Sequence, residues 1–210
     1  MFCCKKIFAL ALIATGLFIV KPVASSPEPP YNTRILKWTV QKTSTLRILG
    51  SSNINSFGCD IQGCFKTDTL FCSDEMCIDK TVKLKGSICI DILKFDCHNE
   101  LITGDLRKTL KASQHPNLVI RFVSLEHFPA LQNTRDCLKG YVEIELAGVC
   151  KKFQVDYSFE TSGSSSVRLN GSRSFCFSDF NLTPPKKLAG LIKVKDDFDV
   201  NFQLLLNRVE

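Results

Sequence analysis

Cysteine is the residue type whose number and spacing could carry chemistry in this 210-residue chain. Eleven cysteines are present, and four of them, Cys59, Cys64, Cys72 and Cys77, follow the spacing C-x4-C-x7-C-x4-C. A hairpin that turns near Asp68 would place Cys64 opposite Cys72 and Cys59 opposite Cys77. Because Cys59 and Cys64 are five positions apart, a regular strand would direct them to opposite faces. Both cross-strand pairings therefore stay open, with Cys64–Cys72 the better candidate; zinc ligands usually show other spacings.

Other side chains that could do chemistry are isolated in the sequence. Asp196, Asp197 and Asp199 form an acidic cluster, but the sequence around them does not supply a full calcium loop. No serine lies in a nucleophile elbow or beside an acid–base partner. None of the three histidines has a second ligand or a nucleophile at motif spacing; they are His98, His115 and His127. We therefore expect a protein that is not an enzyme, with no catalytic residue, metal site or cofactor.

The first 25 residues have the pattern of a signal peptide. Lys5 and Lys6 precede the apolar stretch Ile7–Val20, and the small residues Val23 and Ser25 suit the −3 and −1 positions of a peptidase site. The apolar stretch is short for a membrane span, although an uncleaved anchor is the alternative. We expect export to the periplasm or the extracellular space, where the mature protein would not span a membrane but could contact one.

The mature chain should begin with a flexible tether at residues 26–34, which is rich in proline. Nine of the eleven cysteines remain after the leader, and an oxidising compartment would let several pair. Nine is odd, so one thiol stays free or pairs with a second chain, which leaves room for a homodimer. The formal charge of +6 includes three leader lysines, and the remaining +3 is too small to indicate nucleic-acid binding.

The elements that would position these groups are strands with one apolar face. Residues 84–124 read as strand, short helix, strand, because apolar residues alternate with polar ones on either side of a helical segment. The predicted inward residues of this unit are Ile88, Ile90, Ile92, Leu106, Leu110, Leu118, Ile120 and Phe122. We expect the helix to cover an opening of a closed β-structure that admits an apolar ligand.

Alternation continues towards the end of the chain. Residues 140–159 read as a hairpin, and the clearest strand runs from Phe198 to Leu206, whereas Thr183 and Pro184 resemble the start of a second helix. The inward residues predicted here are Val142, Ile144, Leu146, Val155, Phe159, Val200, Phe202 and Leu204. About eight antiparallel strands with one or two short helices predict an all-β barrel or sandwich.

Four further segments matter in combination: GSSNINSFGC, LITGDLRKTLKASQHPNLVIRF, GYVEIELAGVCKKF and SDFNLTPPKKLAGLIKVKDDFDVNFQLLL. Together they resemble the YceI-like family of extracytoplasmic, lipocalin-like barrels, known for binding polyisoprenoid lipids. The resemblance covers about Ile35 to Leu206 and is closest to the cysteine-containing branch. Departures are Cys150, which replaces the usual threonine, and a cysteine-rich hairpin insertion at about residues 58–77.

The resemblance implies a closed antiparallel eight-stranded barrel over residues 35–208 and a Cys59–Cys97 disulfide, which competes with Cys59–Cys77. It also implies an exported carrier that binds an apolar chain lipid, isoprenoid or quinone-like, inside the barrel. The predicted inward residues are all apolar, so the interior should offer no charged anchor. The alternative is a filled core, in which the protein would serve as a non-enzymatic envelope or surface interaction module.

Overall fold

A computed structural model describes residues 34–62, 69–76, 81–132, 135–161 and 165–209. The predicted signal peptide, nearly all of the predicted tether, Cys64 and Cys77 lie outside these residues. Among the described residues, no helix is long and apolar enough to cross a lipid bilayer.

The described chain forms eleven strands, one α-helix and three short 3₁₀ turns. Helix α1 spans Glu100–Thr109, and the 3₁₀ turns span Ile92–Lys94, Phe177–Phe180 and Leu188–Gly190. The strands are β1 Ile35–Val40, β2 Thr45–Ser52, β3 Ser56–Gln62, β4 Thr69–Met76, β5 Val82–Asp91, β6 Asn117–Leu125, β7 Arg135–Leu146, β8 Val149–Thr161, β9 Ser166–Cys176, β10 Lys186–Lys187 and β11 Ile192–Arg208.

Eight of these strands close into a ring. Their order is β1-β4-β5-β6-β7-β8-β9-β11, every pairing is antiparallel, and β11 returns to β1. Closure depends on the 17-residue length of β11. One edge of β11 pairs with β9, while the other edge pairs first with β2, from Val194 to Gln203, and then with β1, from Leu206 to Arg208. The predicted all-β, closed, antiparallel eight-stranded barrel is confirmed.

The cysteine-rich hairpin predicted at about residues 58–77 is wrong in its pairing. Strand β3 pairs with β2, whereas β4 pairs with β1 and β5, so the two arms of the expected hairpin join different neighbours. The alternating apolar residues of β4, Leu70 and Cys72, are buried because this strand lies between β1 and β5 and closes the ring.

One part of the barrel interior is fully packed. Trp38, Leu70, Leu84, Leu125 and Phe159 are at most 2% exposed. The rings of Trp38 and Phe159 lie 6.1 Å apart between centroids. Each such side chain contributes roughly 1.5–3 kcal/mol by leaving water. This packed region anchors the ring.

Helix α1 is the one α-helix of the described chain. Asn99 caps its start, because its side-chain oxygen accepts the backbone N–H groups of Leu101 and Ile102. The inner side buries Leu106 and, at the helix end, Leu110, four residues apart.

The second helix predicted at Thr183 and Pro184 is wrong, since the chain there forms β10 and a 3₁₀ turn.

Candidate functional site

An apolar cavity of about 70 Å³ lies inside the ring beneath α1. Both buried leucines of α1 face it, which fits the prediction that the helix covers an opening. Ten of the sixteen predicted ligand-binding residues line it; they are Leu106, Leu110, Leu118, Ile120, Val142, Ile144, Leu146, Val155, Val200 and Phe202. Val200 and Phe202 are only half-buried, and both line this unfilled space.

A second, smaller cavity of about 10 Å³ continues the space. Leu46, Ile120 and Phe202 line both cavities and therefore lie between them. Three further predicted residues line only the smaller space; they are Ile88, Phe122 and Leu204. The Phe202 ring occupies its position because Gly171, its partner on β9, has no side chain: a β-carbon there would overlap the ring.

Three predicted ligand-binding residues do not line either space. Ile90 and Ile92 are fully buried where β5 ends and turns towards α1, and Phe159 packs against Trp38 in the filled region. These side chains do point inward, as predicted. Alternation along a strand indicates which side chains face the interior, but it does not indicate which part of the interior is filled by other side chains.

Nine lining residues were missed by the sequence prediction. Leu46 and Ile48 on β2, and Phe198 on β11, lie on alternating apolar faces that the sequence already showed. Phe95 and the turn residues have no such periodicity, because they lie outside strands. The missed residues are Leu46, Ile48, Phe95, Ser172, Arg173, Phe175, Phe177, Phe180 and Phe198.

A cluster of phenylalanine rings closes one side of the larger cavity. The rings of Phe153 and Phe175 meet edge to face at 5.0 Å, and Phe180 lies 5.5 Å from Phe153 and 6.3 Å from Phe175. Phe198 adds contacts of 5.9 Å to Phe175 and 4.7 Å to Phe177. These edge-to-face and tilted ring contacts give this side of the cavity an apolar, aromatic wall.

Arg173 lines the cavity through the apolar part of its side chain, so the expectation that the interior offers no charged anchor stays a prediction. Its register partner on β11 is Val200, which lines the same space. The guanidinium carbon lies 5.1 Å from the Phe153 ring centroid and 5.5 Å from that of Phe175. Nη1 donates to the backbone oxygen of Gln154 at 2.6 Å. Arg173 was missed because an arginine between serines on a strand is usually directed to solvent.

A tyrosine hydroxyl is buried in the aromatic layer next to the cavities. The Tyr157 ring lies 6.5 Å from Phe122 and 6.0 Å from Phe202, between centroids. Its hydroxyl is buried and forms no hydrogen bond with a described residue. Burial raises the pKa of Tyr157 above its ordinary value. The hydroxyl therefore stays neutral at physiological pH and is not a charged anchor.

The Cys59–Cys97 disulfide is confirmed, and it ties the segment before α1 to β3. The backbones of Asp60 and Asp96 also exchange hydrogen bonds of 2.8 and 3.1 Å. These contacts hold α1 over the cavity.

The predicted Cys64–Cys72 disulfide is not formed, because Cys72 is a free thiol; Cys64 lies outside the described residues. Cys72 itself is a buried free thiol, and burial raises its pKa to about 12.

Ionisable side chains of the described residues contact one another near the surface. His98 Nε2 lies 2.9 Å from Asp60, and His127 Nε2 lies 3.2 Å from Asp136, both near the surface. Within the described ranges, no three histidine, cysteine, aspartate or glutamate side chains are placed to hold a metal ion. The chemistry that this interior offers is the transfer of apolar groups out of water.

Solved bacterial structures share this fold. BcnA of Burkholderia cenocepacia matches with a TM-score of 0.60 and 13% identity, covering 79% of this chain and 98% of that protein. A polyisoprenoid-binding domain of Saccharophagus degradans, implicated in plant cell wall breakdown, matches with a TM-score of 0.60 and 10% identity, covering 84% and 100%. The YCEI protein of Campylobacter jejuni matches with a TM-score of 0.50 and 18% identity, covering 70% and 84%. No protein-family model and no curated protein matches the sequence.

Proposed function

Because this chain has the YceI-like fold, we propose that it is a non-enzymatic binding protein that holds the chain of an apolar lipid, isoprenoid or quinone-like, inside its barrel. The observation that carries the proposal is the apolar cavity between α1 and the closed ring. A similar structure is described as a polyisoprenoid-binding domain, which supports the same class of ligand.

Transfer of apolar groups out of water would supply the affinity for a lipid chain. Each CH₂ group that leaves water contributes about 0.8 kcal/mol, and ordering the chain offsets part of this gain. The cavity of about 70 Å³ is smaller than the roughly 300–1,000 Å³ of typical ligand sites. Binding of a whole lipid chain therefore requires the lining side chains to rearrange and enlarge this space.

Export and a carrier role are part of the same proposal. The signal-peptide pattern of residues 1–25 and the Cys59–Cys97 disulfide fit an oxidising compartment, the periplasm or the extracellular space. An apolar chain in such a compartment needs either a membrane or a protein interior. A barrel with an apolar cavity would shield the chain in transit between membranes or hold it away from them.

Lipid extraction from the purified protein, followed by mass spectrometry and by titration with farnesol, tests the proposal. We expect a co-purifying apolar lipid and saturable farnesol binding. Val200→Phe should fill the cavity and weaken binding by about tenfold or more, since the added ring occupies the ligand space. Asn201→Phe is the matched control, because Asn201 is next to Val200 in β11 and its side chain is exposed on the other face of the strand.

Absence of extracted lipid together with absence of farnesol uptake would contradict the proposal. That result would favour the alternative of a filled barrel that serves as a surface interaction module. Equal loss of binding in both variants would show that the effect of Val200→Phe is not specific to the cavity.

A further inference from the structure

The ring is unpaired along half of one seam, between β8 and β9. Their ladder begins at Asp156 with Ser172 and continues to Thr161 with Val167. Strand β8, however, starts at Val149, and β9 continues to Cys176. Residues 149–155 therefore lack a partner on β9 and residues 173–176 lack one on β8, so the strands diverge beside the cavity.

Arg173 lies at the point where the seam opens. Its Nη1–H donates to the backbone oxygen of Gln154, one of the carbonyl groups without a β9 partner. The 3.9 Å pair between Lys151 and Asp179 lies further along the same gap. The phenylalanine cluster, with Phe153 and Phe180, fills the space between.

The charge of Arg173 is not balanced by a carboxylate. It forms no ion pair with any carboxylate of the described chain, and its buried Nε–H has no acceptor there. Apart from the bond to Gln154, its contacts are the faces of two phenylalanine rings. A guanidinium presents its N–H groups as a planar fork that matches the oxygens of a carboxylate or a phosphate.

We propose that the β8–β9 seam is the head-group site of the ligand and that Arg173 selects amphiphiles whose apolar chain ends in an anionic oxygen group. The inference rests on the proposed function, because the chain must occupy the cavity. Half-buried Arg173 lies at the boundary between that cavity and the surface, so the chain would lie inside while the head group stays at the seam. The cation then offsets the desolvation of the anionic head.

Binding of farnesyl phosphate and farnesol to the full chain tests the assignment, because the two ligands share one chain and differ in the head. We expect the wild type to bind the phosphate at least about tenfold more tightly than the alcohol. Arg173→Gln should reduce this preference to about twofold or less, because it should weaken binding of farnesyl phosphate far more than binding of farnesol. Arg173→Lys should keep part of the preference, because it retains the charge without the planar fork.

The matched control is Arg121→Gln, since Arg121 is a half-buried arginine that pairs with Glu145 and does not line the cavity. This variant should keep the full preference. A parallel comparison of oleate with oleyl alcohol distinguishes a carboxylate site from a phosphate site, and a preference for the anion in either pair supports the assignment.

Equal affinity for alcohol and anion in the wild type in both pairs would overturn the inference, as would a preference that survives in Arg173→Gln. In those cases farnesol still binds, and the proposed function stands. Failure of the wild type to bind any of the four probes overturns the proposed function and the inference together. Retained farnesol binding by Arg173→Gln shows that the variant is folded.

Discussion

At the scale of single residues, the Tyr157 hydroxyl is the group whose removal should stabilise the protein. It is buried and has no hydrogen-bond partner among the described residues, so the fold bears its desolvation cost. We expect Tyr157→Phe to raise the free energy of unfolding by about 1 kcal/mol at neutral pH. Urea denaturation measures the change, and Tyr141→Phe is the control because Tyr141 is not buried in the core.

The same hydroxyl should make stability depend on alkaline pH. Burial raises the pKa of Tyr157 above the ordinary value of 10.0, so the folded chain keeps the proton while the unfolded chain loses it. The free energy of unfolding is therefore unaffected by this group below pH 10.0 and falls as pH rises beyond it. Urea titrations across that range should show a shallower decline for Tyr157→Phe, and equal slopes would contradict the assignment.

Phe202 should set the depth to which a chain can enter. Its ring lies between the two cavities, and Gly171 leaves the space that it occupies. We expect Phe202→Leu to join the cavities and to improve binding of geranylgeraniol relative to farnesol by about tenfold, since each further buried CH₂ adds affinity. Competition binding measures the ratio. Gln203→Leu, on the outer face of the same strand, should leave the ratio unchanged.

At the scale of elements, the disulfide before α1 is the main covalent restraint on the cavity cover. It closes a loop with a sequence separation of 38 residues, for which chain-entropy arguments give roughly 3–5 kcal/mol. We expect the double variant Cys59→Ser/Cys97→Ser to lose about that much stability and to release bound lipid faster. Urea denaturation and a lipid-exchange assay measure the two effects. Cys137→Ser changes an exposed free thiol and should have neither effect.

Elements that bury one face were predictable from the sequence. Strands β5, β6, β7 and β11 show period-two alternation because one face meets the interior and the other meets water. The partners of β3 and β4 were not predictable, since alternation does not state which strand lies alongside. Nor was the turn after Leu182, where capping residues occur without the packing that a helix needs.

The sequence predicted which strand faces line the candidate site, but it did not predict how far the site extends or all of the residues that line it. The inward face of β9 continues from Val167 and Leu169 to Gly171 and Arg173, so its alternation is interrupted at the two positions that shape the cavity. A glycine that accommodates a ring and an arginine that faces inward both depend on partners from distant strands. These partners depend on which strands pair and in which register, and the local sequence pattern does not determine this.

At the scale of the whole molecule, the ring combines a filled region with a hollow one. The thiol of Cys72 can be used to measure how often the ring opens. It lies on β4 between β1 and β5, and burial raises its pKa to about 12. At about pH 8 we expect thiol reagents to label Cys137 and Cys150 quickly and Cys72 only as fast as the barrel unfolds. Labelling followed by peptide mass spectrometry measures the rates. Fast labelling of Cys72 under native conditions would show that the ring opens locally at β4.

The long strand β11 has a consequence for biogenesis. It is the only described strand that joins β9 to β1, and residues beyond 191 supply it. A nascent chain that ends earlier has two unpaired sheet edges and an exposed apolar inner face, and both promote aggregation. The ring can therefore close only after synthesis has passed this strand.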